Sequence, residues 1–214
     1  MTRDVSDLDV EKNRVVHDLF IDTADDNYVL SRWCYAGGLN IDYAWMAVNA
    51  LEKYLKAALL LNGRSALRYG HDITKLYTGV REFAAGMFPG ILDKPTQIDL
   101  PYWHDETPEK YLERLLGYGN AHNRYMIFGY ILHMEDLFKL DRMVFAVRRL
   151  CGQLDTYLLG RRQREDIEER GHAGDPHVTC RDILLRQPEY WDWIGSNLSS
   201  VIAGDAVRKC GTLF

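Results

Sequence analysis

Between residues 42 and 62, Ala44, Val48, Leu51, Leu55, Ala58 and Leu59 return at steps of three, four and seven, or side by side on one face. That spacing predicts a helix. Asn49, Glu52, Lys53 and Lys56 fall on another face, with Glu52 and Lys56 one turn apart and able to pair. Gly63 follows as the residue that tolerates a left-handed closing turn. Upstream, Asp22 or Thr23 is a candidate cap for a helix through Tyr28, Leu30 and Trp33, broken at Gly37-Gly38. Downstream, Asp72 opens a helix expected to reach about Ala85. Thr107-Pro108, a capping residue followed by proline at the first helical position, starts a shorter one closed by Gly117. From about Glu135 to Leu159 the seam Leu137, Leu140, Val144, Val147, Cys151, Leu154 and Leu158 alternates threes and fours over three heptads. Such a seam suits nearly antiparallel bundle packing, within one chain or between two.

The remaining stretches punctuate this pattern. Residues 86–106 hold three of the six prolines and read as an irregular connection. YMIFGYIL, residues 125–132, is rich in aromatic and β-branched side chains and is compatible with a strand or a helix. GRRQREDIEER, residues 160–170, mixes both signs of charge as a solvated helix face does. The tryptophan-rich C-terminal stretch is expected to dock as a further helix. The predicted fold is therefore all-α: an up-and-down helical bundle with irregular connections and a C-terminal helical extension. Its divisions are a lead segment over 1–24, a bundle over 25–160, and a charged linker with a helical segment over 161–214.

Composition narrows the function classes. A chain of 214 residues with 47% hydrophobic and 27% charged residues suits one substantial folded domain. A net charge of −5 leaves any nucleic-acid contact to a local basic patch. The four cysteines, Cys34, Cys151, Cys180 and Cys210, form no C-x-x-C pair and fit reduced thiols. The opening MTRDVSDLDVEKNR lacks the apolar core of a signal peptide, and no apolar run is long enough for a membrane span, so a cytoplasmic protein is expected. There is no Walker A loop, G-x-G-x-x-G, G-x-S-x-G or H-E-x-x-H. No cofactor is expected. His172, His177 and Cys180 form the nearest metal-like group, but structural zinc takes four ligands, so no metal is expected there.

Two pairs of segments carry a family resemblance. NALEKYLKAALLLNG (49–63) followed by YGHDITKLY (69–77) resembles the opening half of a HEPN domain, a helical family of prokaryotic and higher-eukaryotic nucleotide-binding proteins. NAHNRYM (120–126) and LDRMVFAVRRLC (140–151) resemble its second half. The similarity spans roughly residues 25–160. It implies a four- or five-helix bundle that dimerises, found in metal-independent ribonucleases of toxin and defence systems and in non-nucleolytic partners of nucleotidyltransferases. Ribonuclease members carry Arg, four to six residues, then His near the start of a late helix. Histidine serves there in acid–base chemistry while arginine stabilises charge on the phosphorane. Here Arg124 and His133 enclose eight residues, which on an ideal helix puts them about 180° apart. Arg114 and His122 enclose seven, two of them glycine.

The resemblance therefore implies a binding module for a nucleotide, RNA or protein partner, including a nucleotidyltransferase, with no recognisable nuclease motif. The alternative is a ribonuclease using Arg124 with His122 or His133 irregularly placed. The expected ligand-binding group is Arg124, His71, Asp72, Asn123, Lys53 and Lys56, with arginine offering a two-pronged fork to phosphate. Gly70-His71-Asp72 explains itself in part as a helix start: Asp72 caps and Gly70 turns the chain. Histidine is not required for that. A homodimer is expected from the 137–158 seam and an aromatic content of 12%.

Overall fold

The computed structural model of the chain describes residues 7–96, 100–120, 123 and 132–152. The elements are α1 (Asp7–Val16), a π-helical turn (His17–Ile21), α2 (Asp22–Ala36), α3 (Asn40–Leu61), α4 (Ile73–Ala84), α5 (Pro108–Tyr118) and α6 (Asp136–Arg148). Short 3₁₀ turns at Leu67–Tyr69 and Ala85–Met87 flank α4. Among the described residues the only pairing of the strand type is an isolated bridge between Leu92 and Glu106. The described residues are all-α, as the periodicity predicts.

α3 is the central element because it is apolar around most of its circumference. Tyr43, Ala44, Ala47, Val48, Ala50, Leu51, Tyr54, Leu55, Ala57, Ala58 and Leu59 are all buried, and α2, α4, α5 and α6 pack around it. The many alanines let neighbours approach closely. At Gly119, just past α5, a Cβ would collide with the carbonyl oxygen of Ala44 on α3. α3 ends as its sequence suggests. Gly63 takes a positive φ of 70°, and the Arg64 amide reaches back 2.9 Å to the Leu59 carbonyl, closing the helix with a six-to-one bond.

Three expectations about helix ends are corrected. Neither Asp22 nor Thr23 caps a helix: α2 runs on from the π-turn, with Ile21 before it already helical and no side-chain cap bond. The Thr23 hydroxyl instead donates to the Leu19 carbonyl at 2.8 Å, a bond made inside a helix. α5 passes Gly117 and ends at Tyr118, where the Gly119 amide bonds Leu115 O. α6 stops at Arg148 rather than Leu159. The amides of Leu150 and Cys151 fold back on Val147 and Arg148 in tight three-residue closures, and Gly152 follows with φ of 138°. The heptad pattern could not register that interruption, since Gly152 occupies a position outside the seam.

The described part of the seam packs within the chain. Leu137, Leu140, Val144, Val147 and Cys151 are buried within this chain, so this stretch offers no face to a second copy. Leu154 and Leu158, the charged run 160–170, the C-terminal segment and nearly all of 125–132 lie outside the described residues.

Charged groups inside the fold hold α6 in register. Arg148, 1% exposed, donates from Nε to Asp25 Oδ1 at 3.0 Å and from Nη2 to Asp25 Oδ2 at 3.3 Å. The Tyr54 hydroxyl of α3 donates to the same carboxylate. One turn on, the Tyr28 hydroxyl donates to Asp141 at 2.6 Å, with Arg32 3.6 Å away. A second assembly lies under the 88–106 connection. Lys139, fully buried, donates to Glu106 at 2.8 Å and to the His104 carbonyl at 2.7 Å. Arg114 of α5 bridges Glu106 and Asp136, each at 2.6 Å. Burial alone would raise the Glu106 carboxyl, but hydrogen bonds from Arg114 and Lys139 outweigh it and hold the group below its ordinary range.

Candidate functional site

The α3–α4 connection brings part of the expected polar group together. His71 precedes α4 after Gly70, whose φ of 58° and ψ of −124° turn the chain where a side chain would be strained. The turn delivers His71 Nδ1 to 2.8 Å from Glu52 Oε1 on α3. Lys56, one helical turn beyond Glu52, reaches the same oxygen at 2.8 Å. Glu52 and Lys56 are mostly covered, whereas the His71 side chain is 88% exposed. The carboxylate therefore gathers an ammonium and an imidazole side by side, with the imidazole facing water.

Asp72 belongs to the scaffold of this site. Its Oδ1 accepts from the amides of Thr74 at 3.0 Å and Lys75 at 3.2 Å, the geometry of an N-cap. Desolvation pushes its carboxyl up, but the hydrogen bonds from Thr74 and Lys75 prevail and draw it below the usual range. Lys53 points away from His71 toward α2, donating to Asn27 Oδ1 at 2.6 Å and to the Thr23 carbonyl at 3.4 Å. Partial burial lowers its affinity for the proton, offset in part by Glu52 and Asp26.

The other expected residues lie elsewhere. Asn123 is buried in the turn after α5, its amide bonded to Asn120 Oδ1 at 3.0 Å and its side chain donating to Tyr118 O at 3.3 Å. His133 serves the start of α6: its amide donates to Asp136 Oδ2 at 2.8 Å, and its carbonyl accepts from the Tyr35 hydroxyl at 3.4 Å. That places it by the end of α2, while His71 lies against the second half of α3. Arg124 and His122 fall outside the described residues, as do His172, His177 and Cys180.

Sequence reasoning missed the neighbours of His71 within the same connection. Leu67 is 90% exposed. Arg68 lies over the Tyr69 ring at 4.7 Å and also donates to its hydroxyl. Arg64 lies over Phe83 at 4.7 Å and pairs with Glu82 at 2.6 Å. Gly79 makes room on α4 for the Tyr69 ring, which a Cβ would strike. A usable signal was present: 64–75 contains Arg64, Arg68 and Lys75 against Asp72 alone, a local positive balance in an acidic chain.

No family model matches the chain, and no similar curated protein or solved structure was found. Among the described residues no helix is long and apolar enough to cross a membrane.

Proposed function

We propose that the chain is a HEPN-like binding module that takes a phosphate-bearing ligand, a nucleotide or RNA, at the α3–α4 connection without cleaving it. The observation that supports this reading is the convergence of Lys56 and His71 on Glu52 Oε1, both at 2.8 Å. The arrangement holds two nitrogens at one spot, and in its imidazolium form the exposed His71 offers an outer N–H to an arriving phosphate beside a lysine held in place. Arg68, stacked on Tyr69, adds a guanidinium and an aromatic face at the rim, a pairing suited to phosphate and base together. Arg124 joins the group by the resemblance of its segment to the second half of the family. The net charge of −5 means that such binding rests on a local basic patch rather than on the chain's overall charge.

The test is fluorescence anisotropy with a labelled single-stranded RNA, competed by free nucleotide, at low salt. Charge-assisted hydrogen bonds contribute about 1.5–3 kcal/mol each. Lys56→Ala with His71→Ala is therefore expected to weaken binding by at least about tenfold, and Arg124→Ala likewise, with helical circular dichroism and melting temperature almost unchanged. Intact RNA recovered after incubation is part of the expected result. Equal affinity in parent and variants, or RNA cleavage abolished by Arg124→Ala, would overturn the proposal.

A further inference from the structure

The π-helical turn creates a second cluster, well separated in sequence from the α3–α4 connection. His17, Asp18 and Asp22 each offer one ligand atom, and these atoms all lie within 4.8 Å of one another. All three residues are half-buried. In an α-helix residues five apart are rotated about 140° from alignment, so His17 and Asp22 would diverge. Here the Asp22 amide donates to the His17 carbonyl, the five-residue bond of a π-turn. That extra residue in the turn stacks Asp22 over His17 and brings His17 Nδ1 to 3.2 Å from Asp22 Oδ1. Asp18, four residues before Asp22, closes the third corner. Val16 and Ile21, both buried, anchor the turn on its inner side.

We propose that His17, Asp18 and Asp22 form a binding site for a divalent transition-metal cation of the zinc or manganese kind. Two carboxylates neutralise a dication, and an imidazole nitrogen favours such ions over magnesium and calcium, which take oxygen ligands. Metal–ligand bonds of about 2.0–2.2 Å set neighbouring ligand atoms roughly 3.3 Å apart in a tetrahedron. The His17–Asp22 separation of 3.2 Å already meets that edge. Three protein ligands leave a coordination position open to water or to another molecule. The sequence conceals this site because the spacing His, Asp, three residues, Asp matches no helical ligand motif unless the helix carries a π-turn.

The experiment uses the full chain stripped with chelator and titrated with zinc chloride by calorimetry, with melting temperature read in parallel. Of the seven histidines, the six besides His17, together with four cysteines, offer other places for zinc, so the variants decide. Asp18→Asn and Asp22→Asn, and separately His17→Ala, are each expected to weaken one zinc equivalent at least about tenfold and to abolish the zinc-dependent rise in melting temperature. Asp18→Asn leaves the His17–Asp22 contact intact, so its loss of zinc cannot be ascribed to a damaged turn. Circular dichroism confirms that each variant is folded. Manganese binding followed by loss of the free-ion resonance signal gives an independent reading. The inference fails if the wild-type chain binds neither ion below millimolar concentration, or if every equivalent survives in all three variants.

Discussion

Replacing Asp25 with alanine removes the carboxylate that Arg148 and Tyr54 share. Arg148 is 1% exposed and cannot swing into solvent without unpacking the end of α6. Removing one partner of a buried ion pair costs about 3–5 kcal/mol, because the remaining charge stays desolvated. Native domains are stable by about 5–15 kcal/mol, so this one change removes a large part of the reserve. At roughly 2–4 °C per kcal/mol for a chain of this size, the expected fall in melting temperature is about 6–20 °C. A denaturant series read by circular dichroism gives the free energy directly. A second variant separates charge from packing: with Asp25→Leu and Arg148→Met together, no buried charge is left unpaired, and most of the lost stability should return. If Asp25→Ala costs less than about 1 kcal/mol, or the double variant is no better than the single, the account of this pair as a desolvated tether is wrong.

Two further outcomes follow from the other packing features. The Glu106 pKa in the folded chain lies below its ordinary value, so its ionised form contributes stability that is present above the ordinary value and lost as pH falls through the folded one. The stability gap between wild type and Glu106→Gln, measured by urea unfolding, should be largest near neutrality and shrink toward pH 3; a constant gap would contradict the assigned ion pairs. Gly119→Ala forces a methyl group against the Ala44 carbonyl, and the backbones of α5 and α3 must part. Overpacking of this kind costs about 1–3 kcal/mol, so a variant that melts with the parent would show that the approach is looser than described.

What the sequence revealed follows from how local each signal is. α3 is recognisable because its apolar positions repeat for six turns, and its end because Gly63 permits a bond that only neighbours define. Asp72 and Thr107 cap α4 and α5 through amides two or three residues away. The continuous helix through the π-turn was harder, since the inserted residue shifts the phase of the pattern and makes Asp22 resemble a start. The burial of Arg148 and Lys139 was not legible, because their partners Asp25 and Glu106 lie 123 and 33 residues away. In the candidate site, His71 and Lys56 both reach Glu52 Oε1, whereas Lys53 turns to α2 and Asp72 to its own helix. Those directions depend on side-chain partners that spacing does not encode.

The separation between Asp25 and Arg148 also sets a schedule for synthesis. A ribosome adds about 5–20 residues per second, so α2 waits roughly 6–25 s before the 123 residues to its guanidinium partner have been made. During that interval the carboxylate of Asp25 and the apolar faces of α2 and α3 have no α6 to cover them. A chain stalled or cut before residue 136 would leave apolar side chains of α2 and α3 without the α6 residues that cover them, a form suited to capture by chaperones and proteases. The last described helix thus closes the core over α2 and α3.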